Sequence, residues 1–302
     1  MQTSLPNKAA VSRDGFRALV LTYHSHHMEG STYPSNDHVA LHRDLRLIDE
    51  TEYMIVSLDD LVDAFIQAQH NEIHGAANMA ATRLVAITFD DGPEYDAIDF
   101  QHPTLGFQRS FLGILRDFSC SAGRRQRSKI VATSFVIASP AARRAMEALT
   151  TSGSYYLHPG SMNDRWWSGA IDSGFMSIAN HSWDHLHPGL THVVHSRQAK
   201  GDFTQVDNQA DADGQILAAT RYINERTGGR AAPFFAYPFG QYNRFLMKEY
   251  FPNGSNGAGI RAAFTVDGRP LHPNEDLWAL PRYSCGYNWK SPADLLTLLD
   301  SA

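Results

Sequence analysis

The sequence predicts an α/β fold: one distorted or incomplete barrel of seven or eight strand–helix units, a single domain over residues 1–302 with its core at about 18–300. Three observations predict it. Short apolar runs rich in β-branched residues alternate with helical patterns, as in a mainly parallel sheet. Several of the runs are apolar almost throughout, which suits strands covered on both faces. No internal repeat or low-complexity linker interrupts the 302 residues, a length comfortable for one large domain.

In chain order the expected strands are 18–23, 84–89, 130–137, 175–179, 234–237 and 262–265, with 279–283 a weaker seventh. Helices with recognisable starts lie between them. Ser57 followed by Asp60 forms a capping-box pattern ahead of Leu58, Leu61 and Phe65 at helical spacing. Ser139-Pro140 and Ser291-Pro292 each place a cap residue before a proline at the first helical position. A helix from Asp211 to Arg226 is stopped by Gly228-Gly229. Two stretches, 92–107 and 149–174, read as elaborations of the barrel.

Composition narrows the function. Apolar residues make up 43% and charged ones 19%, which excludes disordered and fibrous classes. A net charge of −6 argues against an electrostatic nucleic-acid partner, and the one basic run, Arg124, Arg125 and Arg127, is explained by a solvated loop. No stretch is long and apolar enough for a membrane span. The N-terminus lacks a signal peptide's apolar region, so the expected compartment is the cytoplasm, or the periplasm or exterior if the chain has been trimmed. Only Cys120 and Cys285 could form a disulfide, and there is no CxxC. Fifteen histidines against two cysteines mean that any metal would be held by imidazole and carboxylate.

In α/β barrels chemistry sits at the C-terminal strand ends. After 84–89 comes Asp90-Asp91-Gly92, two adjacent carboxylates that cannot both ionise cheaply without a cation or donors nearby. A turn closed by Gly92 would explain the same residues. After 175–179 comes Asn180-His181-Ser182-Trp183-Asp184-His185, whose histidines, four apart, share one side of a helical turn and can reach one ion. The carboxylate pair and the histidine pair together make a His2Asp site with open positions for water.

These motifs, ITFDDG, NHSWDH, FAYPFGQYN and LPRY in this order, resemble those of polysaccharide deacetylases, the NodB-homology group or carbohydrate esterase family four. The resemblance covers most of the chain, from about Ala18 to Tyr283. It implies a NodB-like barrel in which Asp90 is the general base and Asp91, His181 and His185 bind one divalent metal ion, with Zn2+ the first choice. Members usually carry Arg-x-Pro-x-Gly where this chain has Ala236-Tyr237-Pro238-Phe239-Gly240, so the base-orienting arginine is missing and Arg282 is the nearest candidate to replace it. The Phe239 amide matches the usual oxyanion donor. The family's C-terminal Leu-x-His is absent too. The first strand instead ends Leu21-Thr22-Tyr23-His24, as in exopolysaccharide (poly-N-acetylglucosamine) deacetylases whose acid-bearing strand comes first. First and last strands of a closed barrel are neighbours, so His24 is the candidate general acid.

The reaction implied is hydrolysis of N-acetyl, or O-acetyl, groups on an amino-sugar polysaccharide or oligosaccharide. Tyr237, Pro238, Phe239 and Trp183 are candidates for substrate contact. Trp166 and Trp167, in a polar stretch, read either as groove wall or as core. His26 and His27 read as polar loop residues. One alternative is a carbohydrate-binding barrel without turnover, suggested by the missing arginine. Another is an aspartyl-nucleophile phosphatase, which would want an acid two residues past the nucleophile, where Gly92 or Pro93 stands.

Overall fold

A computed structural model describes residues 16–74, 82–121, 123–125, 129–149, 155–254 and 257–302. The N-terminal segment read above and Arg127 lie outside them. The strands are β1 (Phe16–Tyr23), β2 (Met54–Val56), β3 (Thr82–Phe89), β4 (Phe100–His102), β5 (Gly106–Gln108), β6 (Ala132–Val136), β7 (Met176–Asn180), β8 (Phe234–Ala236), β9 (Ala262–Phe264) and β10 (Tyr283–Ser284). Eight of them form one sheet in the order β10-β1-β3-β6-β7-β8-β9, with β2 also paired to β3. All its pairings are parallel. Leu280, in the segment that runs into β10, bridges Phe264 of β9, while β10 pairs with β1. The sheet therefore curls round on itself, and the first strand lies beside the last. The weak 279–283 expectation resolves into this single bridge plus the two residues of β10.

Helices cover the outside: α1 (Asp37–Asp49), α2 (Leu58–His74), α3 (Phe111–Cys120), α4 (Pro140–Leu149), α5 (Trp167–Ser173), α6 (Gln209–Ala212), α7 (Ala218–Thr227) and α8 (Pro292–Ser301). Ser57 Oγ accepts from the Asp60 amide, the N-cap half of the capping box, and its hydroxyl donates to the Asp60 carboxylate, while Ser291 caps α8 through the Asp294 amide. Three helices fall outside the expected set: α1, α3 and α5. α1 is capped by Asn36 and α3 by Ser110. The 92–107 elaboration holds the β4–β5 hairpin, and the described part of 149–174 holds α5. Both tryptophans there are core: Trp166 is 5% and Trp167 0% exposed, because α5 lays its indoles against the sheet's outer cluster. Cys120 and Cys285 are both free thiols. Among the described residues no helix is long and apolar enough to cross a membrane.

Strand alternation places the site. Ala18, Val20, Leu84, Ala86, Phe135, Ala179, Phe234, Ala236, Ala262 and Phe264 share one buried cluster, the barrel interior. Their strand neighbours Leu19, Leu21, Val85 and Ile87 pack outward with Leu45 of α1 and Phe111 of α3. Counting on in twos past the apolar interior gives Thr22 and His24 from β1, Thr88 and Asp90 from β3, and His181 from β7. Val266 follows from β9 and Arg282 from Leu280. The inward face thus changes from apolar to ionisable at the C-terminal strand ends.

Candidate active site

One cavity of about 470 Å³ at those strand ends is lined by His24, His26, Asp90, Asp91, Tyr155, His181, His185, His187, Tyr237, Phe239 and Val266, among others. That volume is in the range that encloses a small ligand. The turn after Asp90-Asp91 depends on Gly92, whose φ is +73°; a Cβ there would lie 2.5 Å from Val136 Cγ1. Asp91, just before it, also adopts a left-handed φ of 72°, as do Ser182 (72°), His185 (59°) and Phe239 (57°). Left-handed backbone at non-glycine residues costs energy and persists only where surroundings enforce it. Five of the six such residues in the described chain, Leu186 beside His185 included, belong to this site or its loops.

The two histidines converge without a helical turn. His181 continues β7, then Ser182 and His185 reverse the chain through left-handed conformations, so the expected helix is a tight loop. The loop is held from outside: Ser182 N–H donates to Asn180 Oδ1, His185 N–H to Ser182 Oγ, and Trp183 N–H to the Gln215 carbonyl. Gln215 sits in a π-turn (Asp213–Leu217) between α6 and α7 and also donates to Asp184. Sequence reading gave this region one plain helix; the π-turn is what aims Gln215 at the loop.

His181 Nε2 is 3.7 Å and His185 Nε2 3.8 Å from Asp91 Oδ1. The three ligand atoms all lie within 4.8 Å of one another, and all three residues are buried. His181 Nδ1 is 2.9 Å from the Ala236 carbonyl, which can only accept, so Nδ1 carries a proton and Nε2 is the nitrogen turned toward Asp91. Burial first, then His181 nearby, lowers the His185 pKa to about 3, leaving a neutral imidazole at neutral pH. Burial works against ionisation of Asp91, yet His185, His26 and His181 together bring its pKa below the ordinary value. Two imidazoles and one carboxylate, converging without hydrogen-bond contact, fit a divalent cation.

Asp90 is held differently. Arg282 Nη1 donates to its Oδ1 at 2.7 Å and Nη2 to Oδ2 at 2.8 Å. Both side chains are buried, Arg282 completely. The guanidinium is itself fixed by the Thr265 carbonyl and the Thr22 and Thr88 hydroxyls, and lies over the Phe135 ring. Burial alone would raise the Asp90 carboxyl, but Arg282 outweighs it and holds the group well below the usual carboxylate range. Arg282 and Asp90 thus form a buried bidentate ion pair.

Behind the pair lies a third carboxylate that the sequence did not single out. Ser25 Oγ (2.5 Å) and Ser134 Oγ (2.6 Å) donate to the two oxygens of buried Asp96. Burial, opposed by these hydroxyls and reinforced by Asp91 and Asp90, pushes its pKa up to about 7. The folded protein then keeps a proton that the unfolded chain releases near 4. This group's contribution to stability is largest below about pH 4 and falls as pH rises to about 7. Asp96→Asn should shrink the loss of stability between about pH 4.5 and about pH 7, measured by urea unfolding of metal-free protein. An unchanged loss in the variant would reject the raised carboxyl.

Of the remaining expected residues, His24 and the rings of Tyr237 and Phe239 line the cavity, with Tyr237 buried and its hydroxyl given to the Trp278 carbonyl. Pro238 and Trp183 are not among the lining residues; Trp183 stands edge-on to Tyr222 at 5.7 Å, on the far side of its loop. The backbone reversal at Ser182 turns it outward from His181. His26, read as a polar loop residue, is instead 4% exposed and faces the site. No sequence signal marks it, because it lies in the turn past the end of β1, where strand alternation no longer applies. His27 is tied to Asp37 at 2.7 Å.

Part of the chain, residues 125–254, matches the family model for polysaccharide deacetylase. The matched polysaccharide deacetylase stretch contains His181, His185 and the 236–240 segment; Asp90, Asp91 and His24 precede it and Arg282 follows it. Solved deacetylases share the barrel over nearly the whole chain. Streptococcus pyogenes deacetylase PplD, in complex with acetate, is 15% identical with a TM-score of 0.58 over 94% of this chain and 98% of that one. The de-N-acetylase of Aggregatibacter actinomycetemcomitans is 13% identical, with a TM-score of 0.58 over 93% and 99%. IcaB from Ammonifex degensii is 17% identical, with a TM-score of 0.56 over 94% and 97%. At such identities the likeness establishes the NodB-like fold. No curated protein sequence matches the chain.

Proposed function

We propose that this chain is a metal-dependent deacetylase acting on an N-acetylated amino-sugar polysaccharide or oligosaccharide. One observation carries the reading: a carboxylate clamped by a buried arginine stands next in sequence to a carboxylate that meets two imidazoles, all in one cavity. A divalent cation in that ligand set, zinc by ligand type, supplies Lewis-acid polarisation of an acetyl carbonyl and makes water more acidic. Arg282 keeps Asp90 ionised and fixes its orientation, at the expense of basicity, so Asp90 is a well-aimed but weak base that depends on an acidified water. Asp90 accepts a proton from the attacking water, the oxyanion lies against the Phe239 amide, and the C–N bond breaks as His24 gives a proton to the departing amine. Acetate and a free amine result. The missing motif arginine, which favoured a binding barrel without turnover, loses its force because Arg282 makes that contact.

Sugar rings present apolar faces, and two half-exposed aromatic rings border the cavity. Tyr155, 52% exposed, lies 5.0 Å from the His26 ring, and Phe239, 44% exposed, lies 4.3 Å from the His185 ring. If a ring contact is worth about 0.5–1.5 kcal/mol, Tyr155→Ala raises KM for an acetylated oligosaccharide roughly 2–13-fold, and the loss falls on KM rather than kcat. The reading itself is tested by acetate release from N-acetylated amino-sugar oligomers, with zinc supplied and then removed by a chelator. Release that is equal with and without metal, or none from any acetylated glycan while sugar still binds, would discard it.

A further inference from the structure

We propose that His26 is a positioning residue for the cation-binding carboxylate: its imidazole fixes Asp91 Oδ2 and so keeps Oδ1 turned toward His181 and His185. The inference rests on the ligand reading above and can fail separately from it. Asp91 Oδ2 is 3.6 Å from His26 Nε2, while Oδ1 is 3.7 and 3.8 Å from the two ligand imidazoles. Three rings from two strand ends therefore bracket one carboxylate. Among the described residues no hydrogen bond reaches that carboxylate, although its backbone is left-handed and its orientation decides whether the ligand atoms converge. His26 stands just outside hydrogen-bond reach, a gap that a few tenths of an ångström closes.

The ring of His26 is placed as a donor rather than as a filler of the core. It is 4% exposed and its Nδ1 has no hydrogen-bond partner among the described residues. A buried structural histidine looks different: His38, equally covered, places Nδ1 2.7 Å from the Arg109 carbonyl and Nε2 2.8 Å from that of Ser25. His26 Nε2 faces Asp91 Oδ2 at 3.6 Å. Ser25, its neighbour, anchors the turn to Asp96, and the Tyr155 ring covers the outer face of the imidazole. His26 is outside the set of ligand atoms that lie within 4.8 Å of one another, so the arrangement assigns it to the carboxylate and not to the ion. Partners of this kind, hydrogen-bonded to a metal ligand, typically change metal affinity 10–100-fold when removed.

The test compares His26→Gln with His26→Asn in the full chain. The amide nitrogen of glutamine reaches about where Nε2 lies, whereas that of asparagine falls near Nδ1. Both are polar and neither is larger than histidine. Zinc affinity of the metal-free protein, measured by competition with a chromogenic chelator, should fall roughly 10–100-fold in His26→Asn and stay near wild type in His26→Gln. Circular dichroism establishes that both variants fold. Equal affinity in wild type and His26→Asn overturns the assignment, as does an equal loss in both variants, since a donor at the Nε2 position would then be irrelevant. A wild-type chain that takes up no zinc at all would instead remove the ligand reading beneath it.

Discussion

Asp90→Asn should lower the turnover of an N-acetylated amino-sugar oligomer by roughly 10²–10⁴-fold while the protein still takes up its divalent cation. The amide keeps the shape of the carboxylate and an acceptor for Arg282, which retains its bonds to the Thr265 carbonyl and the Thr22 and Thr88 hydroxyls. What it loses is the ability to accept a proton from water. Asp91→Asn should behave in the opposite way, since its oxygen belongs to the ligand set: cation affinity falls first and activity with it. Kinetics of acetate release at saturating metal, paired with chelator competition for each variant, separate the two roles. Undiminished turnover in Asp90→Asn, or undiminished metal affinity in Asp91→Asn, would contradict the division of labour between adjacent residues.

That division was legible because strand ends advertise themselves. An apolar run closed by Asp90-Asp91-Gly92 and another closed by the NHSWDH segment leave their polar residues at one level of a parallel barrel, whatever the loops do. Pairing of β1 with both β3 and β10 likewise follows from barrel closure, so a histidine at the end of the first strand could be placed near residues more than sixty positions away. Less was legible where conformation depends on tertiary contact. The His181–His185 spacing suits a helix, yet the loop that forms is stabilised by Asn180, Ser182 and a π-turn residue, Gln215, thirty residues downstream in sequence. Trp166 and Trp167 sit among polar neighbours, and only packing of α5 on the sheet decides that they are buried. His26 was hidden for the same reason: nothing in a run of His24-Ser25-His26-His27 says which imidazole the turn will bury.

Arg282→Met should destabilise the protein by about 3–5 kcal/mol, the usual penalty for leaving one member of a buried ion pair alone. Arg282 is wholly buried and supplies two hydrogen bonds to a carboxylate that is itself buried, so in the variant no solvent takes its place. The pH dependence should change sign with the stability. In the wild type the Asp90 pKa is depressed, so the pair's contribution is fully present above the unfolded carboxyl value near 4 and is lost as pH falls toward the folded one. Without Arg282, burial dominates and raises the Asp90 pKa, so the variant's deficit should shrink as pH is lowered from neutrality and Asp90 takes up a proton. Adding Asp90→Asn to Arg282→Met removes the stranded charge and should recover much of the lost stability, although not the activity. Urea unfolding of the two single variants, the double variant and wild type at several pH values forms the cycle. Additive losses in the double variant would mean that the two side chains do not stabilise each other, and the clamp that carries the functional reading would then be only a contact.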